Sequence, residues 1–591
     1  MPVVRMKMEQ FGGLLLVVGL LLSADRLSAQ TSAPRNGADR SMDHNLMEVN
    51  VPRLEGMYRA RTYTVTQVVQ FYLDRIARYN GVYGAVQTLD RKGALAAAAA
   101  EDAAAKTQGM RLRRGPLWGV PVVVKANTSV KGWITTDGWK GYMLPGHALL
   151  APKDSAVAAR LRAAGAILLG QTNMPDFAAS DTNRSTAFGR TGNAYDVRFS
   201  PGGSSGGTVT AVTANLVMLG NGTDTGNSIR MPAATSAVVG VFPTPGLVSM
   251  AGIAPLDWLL DDTGPIARDV TDAAIALDVL AGPDPADPRT DGSARKAEPG
   301  PYTRYLKKDA LRGKRFGVPA FILDGEGTPF QGIPADAKPG ARAAAQQDAF
   351  LALRPETRAA FLRAIAALRA TGATVVFDKT LLPDSFADQA ARICTLPFVR
   401  EGTEHFLATY GPPDYHSAEE YLKATGSPLP STIIGDWSSP EGARRDGLQQ
   451  SLLGTDTVSE ENFVRPRAAA LAAYNQALDR LHLDGLVYPA IQMPPPDETM
   501  PQDGKLSGGP HSDTAWVNML GVPAVVVPAG FYADGLPFGL EFSARRWRDG
   551  DMLGWAYAYE QATHFRKPPA LVPEGQGLAP VVQALTPAGA E

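Results

Sequence analysis

The chain has 591 residues, 45% hydrophobic and 20% charged, ordinary proportions for a globular protein with a large core. A formal net charge of −2 leaves no electrostatic footprint for a polyanion, so no nucleic-acid partner is expected. Cys394 is the single cysteine, which excludes internal disulfides and cysteine metal sites. The seven histidines are scattered without a paired-ligand spacing, so no metal and no cofactor is expected.

In chain order, Arg5 and Lys7 precede an apolar run over 12–24, and Leu27-Ser28-Ala29 offers a small-residue cleavage site. This pattern predicts a signal peptide over 1–29 and a periplasmic or secreted protein. The run is shorter than the ~20 residues of a membrane span, so no stable membrane partner is expected. An uncleaved anchor is the structural alternative. Residues 30–61 form a lead-in, polar and disordered from Thr31 to Asp43. Apolar residues at helical spacing (Val68, Val69, Tyr72, Leu73, Ile76, Tyr79) predict a helix opened by Thr64 and ended by Gly81. An alanine-rich helix follows over 93–107, with Asp102 in a structural role.

Leu117 to Val124 is a buried strand that delivers Lys125, and a helix over 154–164 leads to the strand 166–169. Further on, helices over 269–280, 358–371, 467–481 and 552–561 alternate with strands over 315–318, 374–377, 486–489, 522–527 and 539–542. The alternation predicts an α/β fold, a mixed twisted β-sheet covered by α-helices on both faces. Within it, 382–461 is an irregular Pro-, Gly- and aromatic-rich region. Residues 492–509 form a loop near the mouth of any site, and 566–591 a Pro/Ala/Gly tail.

Two Gly/Ser clusters, Ser200-Pro-Gly-Gly-Ser204-Ser205-Gly-Gly207 and Gly222-Thr-Asp224-Thr-Gly226-Asn-Ser228-Ile-Arg230, flank the uncharged run 208–218. Glycines let such backbone turn sharply and approach a ligand. Ser204 and Ser228 stand 24 residues apart, room for a turn, a buried helix and a second turn. Lys125 ends the apolar run Gly119-Val-Pro-Val-Val-Val, where a lysine is out of place unless its amine has a polar task. The bland alternatives are a flexible linker and a snorkelling lysine. Gly202 to Gly206 also fits the G-x-S-x-G nucleophile elbow, but that elbow follows a buried strand, and Tyr195 to Pro201 is polar and ends in proline.

Together these segments resemble the amidase signature family. The resemblance extends through Gly170-Gln-Thr-Asn-Met174-Pro, Asp262-Thr-Gly-Pro265-Ile-Ala-Arg268, Asn518-Met-Leu-Gly521-Val-Pro-Ala524 and Gly535-Leu-Pro-Phe-Gly539-Leu, covering roughly Tyr63 to Gln561. It implies one large domain over 62–565, in which the second α/β run from Arg315 onward belongs to the same sheet, and a Ser-Ser-Lys triad. Neutral Lys125 accepts the proton of Ser204, and Ser204 that of Ser228, whose oxygen attacks the carbonyl and forms an acyl-enzyme that water later cleaves. It also implies a cis peptide bond between Gly203 and Ser204, and an oxyanion hole from the backbone N–H groups of Thr225, Gly226, Asn227 and Ser228. Ser205 and Thr223 would support the relay, Asp224 and Arg230 would pair to brace the turn (or form an ordinary salt bridge), and Met174 and Asp176 would line the acyl pocket. By the same analogy, 382–461 roofs the substrate pocket. A lysine serves as base only if burial lowers its pKa from about 10.4 toward 7–8, which the Val122–Val124 run suits.

Two departures from the family pattern stand out: Ala126 replaces the usual aspartate after the lysine, and Asn227 the commoner second glycine. Asparagine imitates glycine at positive φ, so the turn should survive with altered selectivity. The implied function is hydrolysis of a small-molecule linear amide, peptide amide, aryl acylamide or carbamate. The alternatives are a catalytically silent exported binding protein and a tRNA-dependent amidotransferase A-like subunit.

Overall fold

The computed structural model describes residues 37–109, 115–323, 352–382, 393, 395, 398–434, 463–499 and 509–573. Residues 1–29, expected as a signal peptide, lie outside them, as do Cys394 and most of the tail. The chain divides into two compact units, 1–45 and 46–591.

In the larger unit, eleven strands form one mixed sheet: β1 (Val86–Leu89), β2 (Pro121–Lys125), β3 (Ile167–Thr172), β4 (Leu219–Asp224), β5 (Val239–Phe242), β6 (Asp262–Ala267), β7 (Arg315–Val318), β8 (Thr374–Phe377), β9 (Gly485–Pro489), β10 (Ala524–Phe531) and β11 (Pro537–Ser543). Their spatial order is β1-β3-β2-β4-β6-β5-β10-β11-β9-β7-β8. The β2 strand runs parallel to both β3 and β4, with Lys125 opposite Thr172 and Val123 opposite Gly220. The β4 strand is antiparallel to β6, with Asp224 opposite Asp262. The second α/β run therefore extends the same sheet: β7 pairs in parallel with β8 and β9, and β9 joins β11. Strands β2, β3, β4 and β6 are buried along their whole length, the polar residues of β4 and β6 included.

The N-terminal region differs from its expected disorder. Helix α1 spans Gly37–Leu46 and α2 spans Val51–Arg59, with Val51, Leu54 and Tyr58 buried. Residues 46–61 thus belong to the packed domain, because their apolar side chains have a core to enter. The tail boundary shifts likewise: Arg566 holds Glu48 in a two-pronged ion pair (2.7 and 2.8 Å). Helix α3 (Val65–Tyr83) opens with a capping box between Thr64 and Gln67 and runs past Gly81. It stops only where Gly84 takes a left-handed φ of 59°. A mid-helix glycine weakens a helix without ending it; the stop needs a residue that turns left-handed.

The alanine-rich helix α4 (Arg91–Gln108) carries Asp102, whose carboxylate accepts the Val65 (2.8 Å) and Thr66 (2.9 Å) N–H groups at the start of α3. Replacing Asp102 with alanine leaves two helix-terminal donors unmet. The Asp102→Ala variant should lose about 1–2 kcal/mol. That loss is read as a lower urea midpoint at unchanged slope; an unmoved midpoint would show that water replaces the cap at no cost.

Candidate active site

Parallel β2 and β4 both end at the same edge of the sheet, the customary position for a ligand in such folds. Lys125 is the last residue of β2, fully buried, and its backbone N–H donates to Asn221 Oδ1 of β4 (3.0 Å). Asn221 Nδ2 in turn donates to Thr128 Oγ1 (3.0 Å) and Thr263 Oγ1 (3.2 Å), so one amide fastens β2, β4 and β6 together beneath the lysine.

The amine ends at hydroxyls. Lys125 Nζ donates to Ser204 Oγ (2.7 Å), Thr223 Oγ1 (2.8 Å) and Thr223 O (3.3 Å). Asn127 Nδ2 donates to the same Thr223 hydroxyl (3.1 Å). Burial pushes the Lys125 amine down to about 7, against the opposing pull of Asp137, Asp224 and Asp261. It is thus placed to exchange a proton near neutral pH.

The two serine turns lie side by side. The peptide bond between Gly203 and Ser204 is cis. Ser205 N–H donates to Ser228 O (3.1 Å), and Ser205 Oγ donates to Thr223 O (3.2 Å). Gly222 lets the two turns approach closely, since a Cβ there would stand 2.8 Å from Ser205 Oγ and force that side chain to shift. The 208–218 run proves shorter in helix than expected. A helix, α5, covers Gly206–Thr213, and β4 returns the chain to the second turn. The described segment 191–203 that leads into Ser204 holds no strand, so the elbow geometry is absent.

Arg230 opens the short helix α6 (Arg230–Thr235) and is fully buried. It pairs with Asp224 (Nε–Oδ2 3.1 Å) and with Glu541 of β11 (Nη1–Oε1 2.8 Å), and donates to Thr514 Oγ1 (2.7 Å), Asn518 Oδ1 (2.5 Å) and Gly226 O (2.6 Å). Asp224 Oδ2 also accepts the Ile229 N–H (2.9 Å). Thr225 Oγ1 donates to Asp261 Oδ1 (2.5 Å), whose other oxygen accepts the Leu256 (2.9 Å) and Asp257 (3.1 Å) N–H groups. The turn 225–228 is therefore braced on both sides.

Asn227 does not adopt the positive φ expected of a glycine substitute; its side chain instead interacts with Asp181. The turn tolerates asparagine because no left-handed residue is needed there. Met174 has no exposed surface and packs with Ala126, Ala178 and Leu256. Asp176 commits its carboxylate to the N–H (2.7 Å) and hydroxyl (2.8 Å) of Thr186. Sequence reasoning missed Asn221, Asp261, Thr514 and Glu541. A signal existed for Glu541, a carboxylate inside the apolar strand β11, like Lys125 in β2.

The sequence model of the Amidase family matches residues 67–329 and 337–553. The chain belongs to the amidase signature family. Over 549 residues it is 32% identical to the A-type subunit of the glutamyl-tRNA(Gln) amidotransferase from Symbiobacterium thermophilum, covering 89% of this chain and 99% of that protein. Among solved structures it resembles native peptide amidase from Stenotrophomonas maltophilia (31% identity, TM-score 0.68, 89% of this chain and 99% of that one). A bacterial aryl acylamidase at 24% identity (TM-score 0.65, 87% of this chain and 96% of that one) shares the fold.

In this family member the Arg230 hub sets the turn in place. Arg230→Met strands Asp224 and Glu541 as unpaired buried carboxylates and should destabilise by about 3–5 kcal/mol. Thermal unfolding of the variant checks this; a loss below about 1 kcal/mol would mean that water or protonation relieves both carboxylates.

Proposed function

We propose that this protein is an amidohydrolase that cleaves a linear carboxylic amide, a peptide amide, an aryl acylamide or a carbamate, through an acyl-enzyme on Ser228. The observation that carries the reading is the buried Lys125 amine, 2.7 Å from Ser204 Oγ and pushed down to about 7. A neutral amine there can take the Ser204 proton as Ser204 takes that of Ser228. The Ser228 oxygen attacks the carbonyl, and the proton returns through Ser204 to the leaving nitrogen. Asp224 accepts the N–H groups of Ile229 and Arg230, so those of Thr225, Gly226, Asn227 and Ser228 are the donors proposed for the oxyanion. Each such donor is worth roughly 3 kcal/mol in a transition state.

The packing of 398–434 supports a part in specificity. Tyr415, Tyr421 and Phe406 pack over Tyr142, Leu149 and Phe177, close to the Met174–Asp176 segment. We propose further that residues 1–29 direct export. The likeness to peptide amidase favours water as the acyl acceptor. A second reading, glutamine-dependent amidation of glutamyl-tRNA(Gln), is favoured by the relative at 32% identity. Amidation of that tRNA by the purified protein with partner subunits would select it.

Ser228→Ala and Lys125→Met should each lower amide turnover at least ~100-fold and abolish labelling by a fluorophosphonate. Full turnover in Lys125→Met at neutral pH would refute the relay. The lysine works only when neutral. The kcat/KM should therefore fall about tenfold per pH unit below about 7 and level off above it. Linkage has a matching sign. Between about 7 and the free-lysine value near 10.4, the unfolded chain binds the proton that the folded one has lost, so this group makes stability rise with pH. Lys125→Met removes that rise, which paired melting curves at neutral and alkaline pH will read.

A further inference from the structure

A cleft of about 510 Å³ lies next to the serine turns, within the roughly 300–1,000 Å³ that small-molecule sites occupy. Asp261 connects the two: it lines the cleft and accepts the Thr225 hydroxyl (2.5 Å). None of Lys125, Ser204 and Ser228 lines it.

One wall is the helix Val399–Tyr410, where Gly402, Phe406 and Tyr410 recur four residues apart and so share a face. The other walls come from the segment 250–258 and the turn 286–289. Two glycines let these walls approach. A Cβ on Gly402 would stand 2.6 Å from Trp258 Cδ1, and one on Gly252 2.6 Å from Tyr410 Oη. The indole of Trp258 is fixed by its N–H, which donates to Phe398 O (3.0 Å), and the rings of Phe406 and Tyr410 stack with planes 4° apart. The aromatic lining is thus formed in advance of any ligand.

The charges around the cleft do not cancel. Asp287 is gripped by Arg289 through two bonds (2.9 and 2.8 Å) and accepts the Met250 N–H (2.8 Å). Arg289 gives its remaining N–H groups to the carbonyls of Trp258 (2.8 Å) and Asp261 (3.2 Å). Both oxygens of Asp261 are taken, by Thr225 and by two backbone N–H groups. Lys153 and His405 remain. Both line the cleft with exposed side chains, and among the described residues neither forms an ion pair. Lys153 Nζ stands 4.8 Å from the centre of the Tyr410 ring, so its charge is held at the aromatic wall.

We propose that this cleft is a second ligand site that takes an aromatic carboxylate, its ring on the Trp258, Phe406 and Tyr410 surface and its anion toward Lys153 and His405. The acidic side chains of the lining are already satisfied, so a ligand anion meets basic groups without a competing carboxylate. The inference does not depend on the hydrolase reading, because it uses none of the residues assigned to that chemistry.

Phenylacetate and benzylamine share a ring and a methylene and differ in the sign of their charge. Each is titrated into the whole protein by calorimetry at neutral pH. Phenylacetate should bind with a Kd of about 1 mM or tighter, a modest affinity for its size. Benzylamine should bind at least about tenfold more weakly, as like charges do. Acetate, the anion without the ring, should show no binding. Lys153→Glu changes an exposed side chain and should weaken phenylacetate about tenfold while removing the preference over benzylamine. Protein carrying a fluorophosphonate adduct on Ser228 should bind phenylacetate as the free protein does. Absent phenylacetate binding, equal binding of benzylamine, an unchanged affinity in folded Lys153→Glu or loss of binding in the adduct would each overturn the proposal. Failure of the fluorophosphonate to react would count against the hydrolase reading alone, and the Lys153 variant then locates the ligand.

Discussion

A primary amine at the end of a fully buried strand is under two opposed demands. Burial drives off its proton, and the carboxylates of Asp137, Asp224 and Asp261 draw one in. Either demand alone would unfit Lys125 for the base proposed here: with burial only, the proton would never arrive, and with full ion pairing it would never leave. The near balance around neutrality is what a proton relay requires. It depends on the carboxylates being held at fixed positions. The site accordingly has a floor, where Asn221 ties three strands together under the lysine, and walls, where each serine turn is bonded to the other.

Arg230 shows the opposite solution in the same neighbourhood. A guanidinium cannot give up its proton, so its burial must be answered by full pairing. Asp224, Glu541, Asn518, Thr514 and the Gly226 carbonyl together occupy it. Asp224 serves both cations: it pairs directly with Arg230 and acts on Lys125 only through its field. Because arginine pairs directly with Asp224, that carboxylate does not tie Lys125 into an ion pair of its own. The rigid ion pair and the poised amine are thus two consequences of one arrangement.

Where a residue type contradicted its surroundings, the sequence was informative. A lysine closing a run of valines, and serines set in glycine beside an uncharged stretch, announced a site, and the family motifs pointed to its members. The alternation of apolar strands and helices outlined the sheet. What stayed hidden is set by distance along the chain. Nothing near Asp137 in sequence marks it as a neighbour of Lys125; only the loop's return to Ala126 brings them together. Glu541 and Asn518 reach Arg230 from about 300 residues away. The packing of 46–61 was missed because a short amphipathic helix reveals its buried face only when the core that receives it is known.

The segment after β2 links two parts of the site that sequence treats as unrelated. Its first half carries Asp137, bonded to Ala126 and facing the lysine. Its second half carries Trp139 and Tyr142, which form a tight aromatic group with Phe177 and Tyr421 (centroids 5.1 to 6.1 Å apart). Tyr421 further donates to Gly141 O (2.9 Å), and Tyr415 to His147 O (3.2 Å), so the irregular region is fastened onto this loop by its side chains. Asp137 and Tyr142 lie five residues apart on one short stretch. The described part of the irregular region, 398–434, is therefore packed against the same loop that carries Asp137.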